Sequence, residues 1–213
     1  MAIADSGGVT AQKGVVDFYF DFISPFGYFA SLRIDALAAR QGYAVRWHAM
    51  LIGVSVVKVM GMKPLLETPL KGPYILRDGN RYARQHHIAL GRKIDDAMAD
   101  PRPAGKAYHW IARHHPQRGQ EFAQRLLSAY WLQGADIAQQ APIVAVLGDM
   151  DLATAEVISG IAGEEASALL RASVAASLER GVFGSPFFMV GDEPFFGVEK
   201  MELLEQWLAS GGW

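Results

Sequence analysis

Apolar residues form a nearly continuous run close to the start of the chain, in the segment VVDFYF of residues 15–20. A strand buried on both faces carries such a run, because neither face meets water, so we predict a central strand here. Ser24 and Pro25 follow it as a helix N-cap and a first helical residue. We therefore predict a helix from Pro25 to about Arg40, with Gly42 just past its end.

The rest of the chain shows the two periodicities that distinguish strands from helices. Residues 43–47 alternate and predict a second strand, which runs parallel to the first because a single helix joins them. The further predicted elements are a short helix over 51–60, an irregular loop over 61–73, a helix over 74–88, a helical block over 103–148, a short helix over 152–158, a helix over 164–180, a hairpin of strands over 187–196 and a final helix over 199–209.

The order of these elements indicates the fold class. Without its helical block the chain runs β-α-β-α-β-β-α, which is the thioredoxin arrangement, so we predict an α/β thioredoxin-like fold with a large all-helical insertion. Residues 15–50 and 160–213 form the predicted thioredoxin-like domain, and residues 51–159 form the inserted helical domain. We expect residues 1–14 to be disordered.

Composition removes several classes of function. A net charge of −2 over 213 residues gives no electrostatic signature of nucleic-acid or anionic-membrane binding. The chain has no cysteine, so it has neither a disulfide nor a thiolate nucleophile of its own. No apolar run reaches the ~18 residues of a membrane span, and the first residues lack the apolar core of a signal peptide. We expect a cytoplasmic protein, with its six histidines in packing or surface roles rather than as metal ligands.

Two short motifs carry the candidate chemistry. Ser24 stands where a central strand meets a helix, so its hydroxyl is either a plain N-cap or a group that holds an anion beside the helix N-terminus. Ser185 and Pro186 precede the third core strand. In the thioredoxin arrangement this proline is typically cis and lies opposite the first helix, which leaves the backbone of Ser185 to pair with an extended ligand. A trans proline at the entry to a strand is the alternative.

Three segments together identify a family resemblance. FDFISPFGYFA, LIGVSVVKVMGMKPLLETPLKGPYILRDGNRYAR and GVFGSPFFMVGDEPFFG resemble, in this order, the 2-hydroxychromene-2-carboxylate isomerases, which are relatives of the kappa-class glutathione transferases. The resemblance covers about residues 15–208. It implies a DsbA-like thioredoxin fold, a homodimer, and glutathione as cofactor or substrate. Ser24 matches the family's catalytic residue, at the place where redox members of the wider fold carry Cys-Pro-x-Cys.

The resemblance also implies where glutathione binds. Ser185 and Pro186 match the backbone site for an extended ligand, although Ser185 stands where valine, leucine or alanine is common. Val198 and Glu199 match the run, usually Ser/Gln-Asp-Arg, that contacts the γ-glutamyl group. Met62 replaces a frequent asparagine before Lys-Pro, which removes one polar contact. We expect Glu199 to contact the γ-glutamyl ammonium.

The sequence therefore predicts a glutathione-dependent cis/trans isomerase of an aromatic unsaturated carboxylate, in which Ser24 holds the thiolate. A free thiol has a pKa near 8.5 and is only about 3% ionised at pH 7. A site that stabilises the thiolate therefore raises the ionised fraction of the thiol. One alternative is a kappa-like glutathione transferase or peroxidase, which consumes the thiolate. Another is a binding protein that kept the fold and has no catalytic activity; Met62 and Val198 favour it somewhat.

Overall fold

The structure, a computed structural model, describes residues 12–213. Most of the segment predicted to be disordered, residues 1–11, lies outside the described residues, and the first strand already begins at Gly14. The strands are β1 (Gly14–Phe20), β2 (Tyr43–Ala49), β3 (Phe187–Val190) and β4 (Glu193–Phe196). The helices are α1 (Pro25–Ser31), α2 (Ile34–Arg40), α3 (Lys71–Gln85), α4 (Arg102–His114), α5 (Gly119–Gln133), α6 (Gln140–Asp149), α7 (Thr154–Ala162), α8 (Glu164–Glu179) and α9 (Met201–Ser210), together with a π-helix (Gly53–Val59) and 3₁₀ turns (Leu65–Glu67 and Val198–Lys200).

The four strands form one mixed sheet in the order β2-β1-β3-β4. β1 pairs parallel to β2, as the single connecting helical segment predicted, and antiparallel to β3. β3 and β4 form the predicted hairpin. The predicted thioredoxin-like α/β fold with a helical insertion is confirmed, and the sheet places the end of β1 beside the start of β3.

One predicted helix is in fact two. The helix expected over 25–40 breaks at Leu32 and Arg33, so α1 is only seven residues long and α2 starts again at Ile34. Arg33 sits at the break and donates to Tyr82 and to Glu202. Apolar positions keep helical spacing across the break, and periodicity alone therefore cannot detect it.

Three other boundaries differ from the prediction for local reasons. The helix expected over 51–60 is a π-helix, in which Met60 N–H bonds to Ser55 O at 3.0 Å. α3 begins at Lys71 rather than at 74, because Pro73 falls in its first turn, where no N–H is needed. The final helix begins at Met201, after a 3₁₀ turn over 198–200.

Aromatic residues of β1 join the sheet to the helical part of the chain. Phe18 packs edge-on against Trp47 with ring centroids 4.9 Å apart, and Phe20 packs against Tyr108 of α4 at 5.6 Å. Tyr108 also donates its hydroxyl to the carbonyl of Trp47 at 2.6 Å. A continuous apolar cluster therefore spans both predicted units, and the division into two domains stays a prediction. Within residues 12–213, no helix is long and apolar enough to cross a bilayer.

Candidate functional site

The loop between β1 and α1, residues 21–24, is buried and held in place from several sides. Trp131 of α5 donates its indole N–H to the carbonyl of Phe22 at 3.0 Å. The N–H of Ser24 bonds back to Asp21 O at 3.0 Å, which closes the turn. The loop that presents Ser24 is therefore rigidly anchored to the helical part of the chain.

Ser24 is the N-cap of α1 and is only 4% exposed. Its hydroxyl oxygen accepts the N–H of Gly27 at 3.0 Å, and the hydroxyl donates to the carbonyl of Ser185 at 2.9 Å. Tyr28 N–H bonds to Ser24 O, and Pro25 has no N–H. Among the described residues the Phe26 N–H makes no hydrogen bond, so this first-turn amide remains available to a ligand.

Ser185 and Pro186 lie directly beside Ser24, and the peptide bond between them is cis, as predicted. The carbonyl of Ser185, which we expect to pair with an extended ligand, accepts the Ser24 hydroxyl in this structure. Its pairing with a ligand stays a prediction. The hydroxyl of Ser185 accepts the N–H of Asp21 at 2.9 Å. Gly27 makes room for this contact, since a Cβ there would lie 2.6 Å from the Ser185 hydroxyl.

Asp21 is the residue that the sequence interpretation missed. Its carboxylate is fully buried and accepts two backbone N–H groups, from Ile52 at 2.7 Å and from Ile23 at 3.2 Å. Burial raises the pKa of Asp21 to about 7, although the two N–H bonds act in the opposite direction. An acidic residue between Phe20 and Phe22, in an otherwise apolar run, was the available signal.

The predicted γ-glutamyl residues lie on the turn after β4. The side chain of Val198 is 3% exposed and packs in the core, so only its backbone can face a ligand. Glu199 is exposed, and its carboxylate folds back over Gly197, which has a φ of 102° and no Cβ to obstruct it. Gly197 N–H bonds to Pro186 O at 3.1 Å, and this bond ties the turn to the cis-proline strand.

Met62 lies in an exposed segment that spans residues 53–70, which we call the covering segment. Met62 itself is 43% exposed, and Ile52 N–H fastens the start of the segment to the Asp21 carboxylate. Within the described residues, no hydrogen bond joins Met62 to Ser24, Ser185 or Glu199. The segment exposes several further large apolar side chains, namely Val57, Val59, Met60, Leu65 and Leu70.

A second carboxylate of β1, Asp17, is paired with cations instead. It accepts from Arg46 at 2.6 Å, from Arg180 at 3.1 Å and lies 2.7 Å from His48 Nε2. Burial raises the pKa of Asp17, but the hydrogen bonds from Arg46 and His48 outweigh burial and the net shift is downward. This cluster joins β1, β2 and the end of α8, and its groups satisfy one another.

Comparisons with known proteins agree with this geometry. The sequence matches the family described as the DSBA-like thioredoxin domain over residues 15–209. It is 26% identical over 198 residues to a 2-hydroxychromene-2-carboxylate isomerase of Sphingobium xenophagum, covering 91% of this chain and 97% of the relative. It is 25% identical over 194 residues to the enzyme of the same name in Pseudomonas putida, covering 90% and 92%. The resemblance predicted from the three segments is confirmed.

Solved structures give the same fold. A 2-hydroxychromene-2-carboxylate isomerase superposes with a TM-score of 0.79 at 23% identity, covering 92% of this chain and 94% of that one. The cytosolic disulfide reductase DsbM from Pseudomonas aeruginosa, in a structure with GSH, superposes with a TM-score of 0.63 at 19% identity, covering 92% and 96%.

Proposed function

The chain belongs to the family of DSBA-like thioredoxin domains, and from that premise we propose that it is a glutathione-dependent cis/trans isomerase of an aromatic unsaturated carboxylate. The isomerase class is that of its curated relatives, which are named for 2-hydroxychromene-2-carboxylate. One observation carries the proposal. In a chain without cysteine, the hydroxyl of Ser24 lies 2.9 Å from the carbonyl that precedes a cis-proline.

A site of this kind needs a thiol from outside the chain. Reactive thiols act as thiolates, and the free thiol of glutathione is mostly protonated at neutral pH. A ligand N–H that bonds to Ser185 O would release the Ser24 hydroxyl, which then turns to donate to the thiolate. The N–H of Phe26, which makes no hydrogen bond within the described residues, is a second donor in the first turn of α1. One charge-assisted bond of ~1.5–3 kcal/mol lowers the thiol pKa by roughly 1 to 2 units.

The thiolate then acts as a nucleophile that is returned unchanged. Its sulfur forms a bond to the β-carbon of a double bond conjugated with a carbonyl, and the electron pair moves to the carbonyl oxygen. The former double bond is now single, and rotation about it interconverts the two isomers. When the electron pair returns, the C–S bond breaks and the thiolate leaves. No net oxidation occurs, so the chain needs no redox group.

Glu199 is the residue that we expect to recognise the γ-glutamyl ammonium. Its carboxylate is exposed, lies on the turn tied to Pro186, and makes no hydrogen bond within the described residues. Glu199→Gln should weaken glutathione binding by about tenfold, the cost of a charge-assisted bond. Glu193→Gln, an exposed carboxylate of β4, is the matched control and should bind as the wild type does. Equal affinity in both variants would mean that glutathione binds elsewhere.

Calorimetry with glutathione, followed by turnover of 2-hydroxychromene-2-carboxylate, tests the function as a whole. We expect saturable binding and isomerisation that leaves the glutathione concentration unchanged. Consumption of glutathione would indicate a transferase. No binding of glutathione or of S-methylglutathione would overturn the proposal and leave a binding protein without catalysis. The proposal includes a homodimer in the cytoplasm, as the resemblance implies. Analytical ultracentrifugation measures the oligomeric state.

A further inference from the structure

Asp21 lies where four segments of the chain meet. It directly follows β1, its carbonyl accepts the N–H of Ser24, and its own N–H donates to the hydroxyl of Ser185. Its carboxylate accepts the N–H of Ile52, the residue directly before the covering segment. Asp21 is therefore bonded both to the residue that carries the candidate chemistry and to the segments on either side of it.

Within residues 12–213 no cation pairs with the Asp21 carboxylate, which sets it apart from Asp17. Asp17 is surrounded by Arg46, His48 and Arg180. The two carboxylate oxygens of Asp21 instead accept backbone N–H groups. One belongs to Ile23 in the loop and the other to Ile52, directly before the covering segment. A buried carboxylate held in this way costs stability compared with a neutral residue, and a stabilising role alone does not explain its presence.

We propose that Asp21 is a positioning residue, whose carboxyl group fastens Ile52, directly before the covering segment, to the loop that carries Ser24. Its backbone N–H separately orients the Ser185 hydroxyl. The inference rests on the proposed function only for its catalytic readout. Ile52 connects the Asp21 carboxyl group to the protein core, because its side chain packs against both apolar clusters. Ser55, which is buried, adds a long hydrogen bond of 3.4 Å to Ile52 O. Fixing the N–H of Ile52 thus fixes the first turn of the π-helix.

The stability of this attachment depends on the protonation state of the Asp21 carboxyl group. The groups that face Asp21 are the amides of Ile23 and Ile52, the hydroxyl of Ser185 near β3 and, through its charge, the phenol of Tyr130 on α5. Burial raises the pKa of Asp21 to about 7 from 3.8. An opening that hydrates the carboxylate releases this proton. Opening therefore becomes easier as the pH rises from about 4 to 7, and levels off above 7.

Hydrogen exchange on the free protein tests the inference without any ligand. The two N–H groups bind different oxygens of Asp21, and in Asp21→Asn an NH₂ group that cannot accept replaces one of them, so the protection factors of residues 52–62 should fall about tenfold. Asp35→Asn is the control, because Asp35 is a partly buried carboxylate that is likewise held by neutral donors, Trp47 and Gln124, away from Ser24. In the wild type the same protection factors should fall about tenfold or more between pH 5 and 7, and in Asp21→Asn they should stay level.

A second pair of variants keeps the test open if Asp21→Asn folds poorly. Ile52→Pro removes the donor N–H at a position whose φ of −60° suits proline, and Ile52→Val keeps that N–H with a shortened side chain. We expect Ile52→Pro, and not Ile52→Val, to reproduce the loss of protection. Unchanged protection in both Asp21→Asn and Ile52→Pro would overturn the inference.

The catalytic readout distinguishes failure of this inference from failure of the proposed function. With glutathione and 2-hydroxychromene-2-carboxylate, Asp21→Asn should lower kcat/KM about tenfold and flatten its pH profile near 7, while Asp35→Asn leaves both unchanged. If the wild type binds no glutathione, the proposed function fails, and the exchange experiment still decides the role of Asp21. Normal exchange behaviour together with an unchanged pH profile in Asp21→Asn would contradict the positioning role.

Discussion

The two sides of the candidate site differ in how firmly the chain holds them. The loop over 21–24 is buried and bonded to α5, to the covering segment and to the residue before the cis-proline. The covering segment over 53–70 exposes many of its large side chains, and Leu70 is 90% exposed. Leu70 also has a φ of 67° at the centre of a tight turn in which Lys71 N–H bonds to Pro69 O at 2.8 Å.

The difference indicates a division of work. In the proposed function, the anchored loop would keep the donors for a thiolate in fixed positions, and such preorganisation lets a hydrogen bond stabilise a charge. In the exposed segment Ser55 is the one buried residue among 53–70, and the segment ends in a strained turn, which are features of a part that adapts its position to a ligand. We expect chemistry to depend on the loop and substrate choice to depend on the segment.

Removal of the Ser24 hydroxyl should give the largest effect. Ser24→Ala should reduce turnover near neutral pH by about 10- to 150-fold, the equivalent of ~1.5–3 kcal/mol, because the thiolate loses its charge-assisted bond. Part of the rate should return at higher pH, where the thiol ionises unaided. Ser31→Ala removes another buried hydroxyl from α1 and is the control. Equal turnover in the two variants, corrected for folded fraction, would leave Ser24 as a helix N-cap.

Replacement of the buried acid should change how stability depends on pH. The pKa of Asp21 is raised to about 7, so its contribution is present at low pH and is lost as the pH rises toward 7. The free energy of unfolding of Asp21→Asn, relative to the wild type, should therefore increase by about 2 kcal/mol between pH 5 and 7. Urea denaturation at several pH values measures this difference. Parallel pH curves for the two proteins would show that the carboxyl does not titrate in that range.

A polar side chain in the covering segment should have a smaller effect, on binding alone. Met62→Asn introduces the residue that the resemblance to the 2-hydroxychromene-2-carboxylate isomerases leads us to expect before Lys-Pro. The new side chain should add one hydrogen bond to glutathione, which should bind about 2- to 10-fold more tightly. Met60→Asn, two residues earlier and also exposed, controls for the general effect of polarity. A change in turnover with unchanged glutathione affinity in Met62→Asn would contradict the assignment of binding to the covering segment and chemistry to the loop.

Relief of the strained turn should give the smallest effect. Leu70→Gly removes a side chain that is almost fully exposed and suits the positive φ, so the protein should gain up to about 1 kcal/mol of stability. Thermal denaturation measures it. Thiolate formation should not change, since the anchored loop is untouched, and a shifted thiol titration in this variant would show that the two sides are more tightly coupled than the structure indicates.

Much of the fold was predictable because it rests on local signals. The apolar run of β1, the N-cap at Ser24 and the glycine stop at Gly42 sufficed for the first βαβ unit. The break in the helix at Leu32 and Arg33 was not predictable. The hydrogen bonds of Arg33 to Tyr82 and Glu202 at this break involve residues far away in sequence.

The sequence predicts the positions of the candidate site residues but not the bonds between them. Ser24 and Pro186 were found from their places beside strands, yet the hydroxyl of Ser24 bonds to a carbonyl 161 residues away. The role of Asp21 depends on backbone N–H groups of Ile23 and Ile52, and every residue except proline carries such a group. Sequence patterns record side chains and therefore contain no trace of such a pairing.

The central claim is that Ser24 holds an ionised glutathione thiol, and ultraviolet titration of the thiolate in the glutathione complex tests it most directly. The wild-type complex, Ser24→Ala and the control Ser31→Ala should be titrated at saturating glutathione. The account predicts a thiol pKa in the wild type and in Ser31→Ala that is roughly 1 to 2 units below that in Ser24→Ala. The same thiol pKa in all three complexes would contradict it.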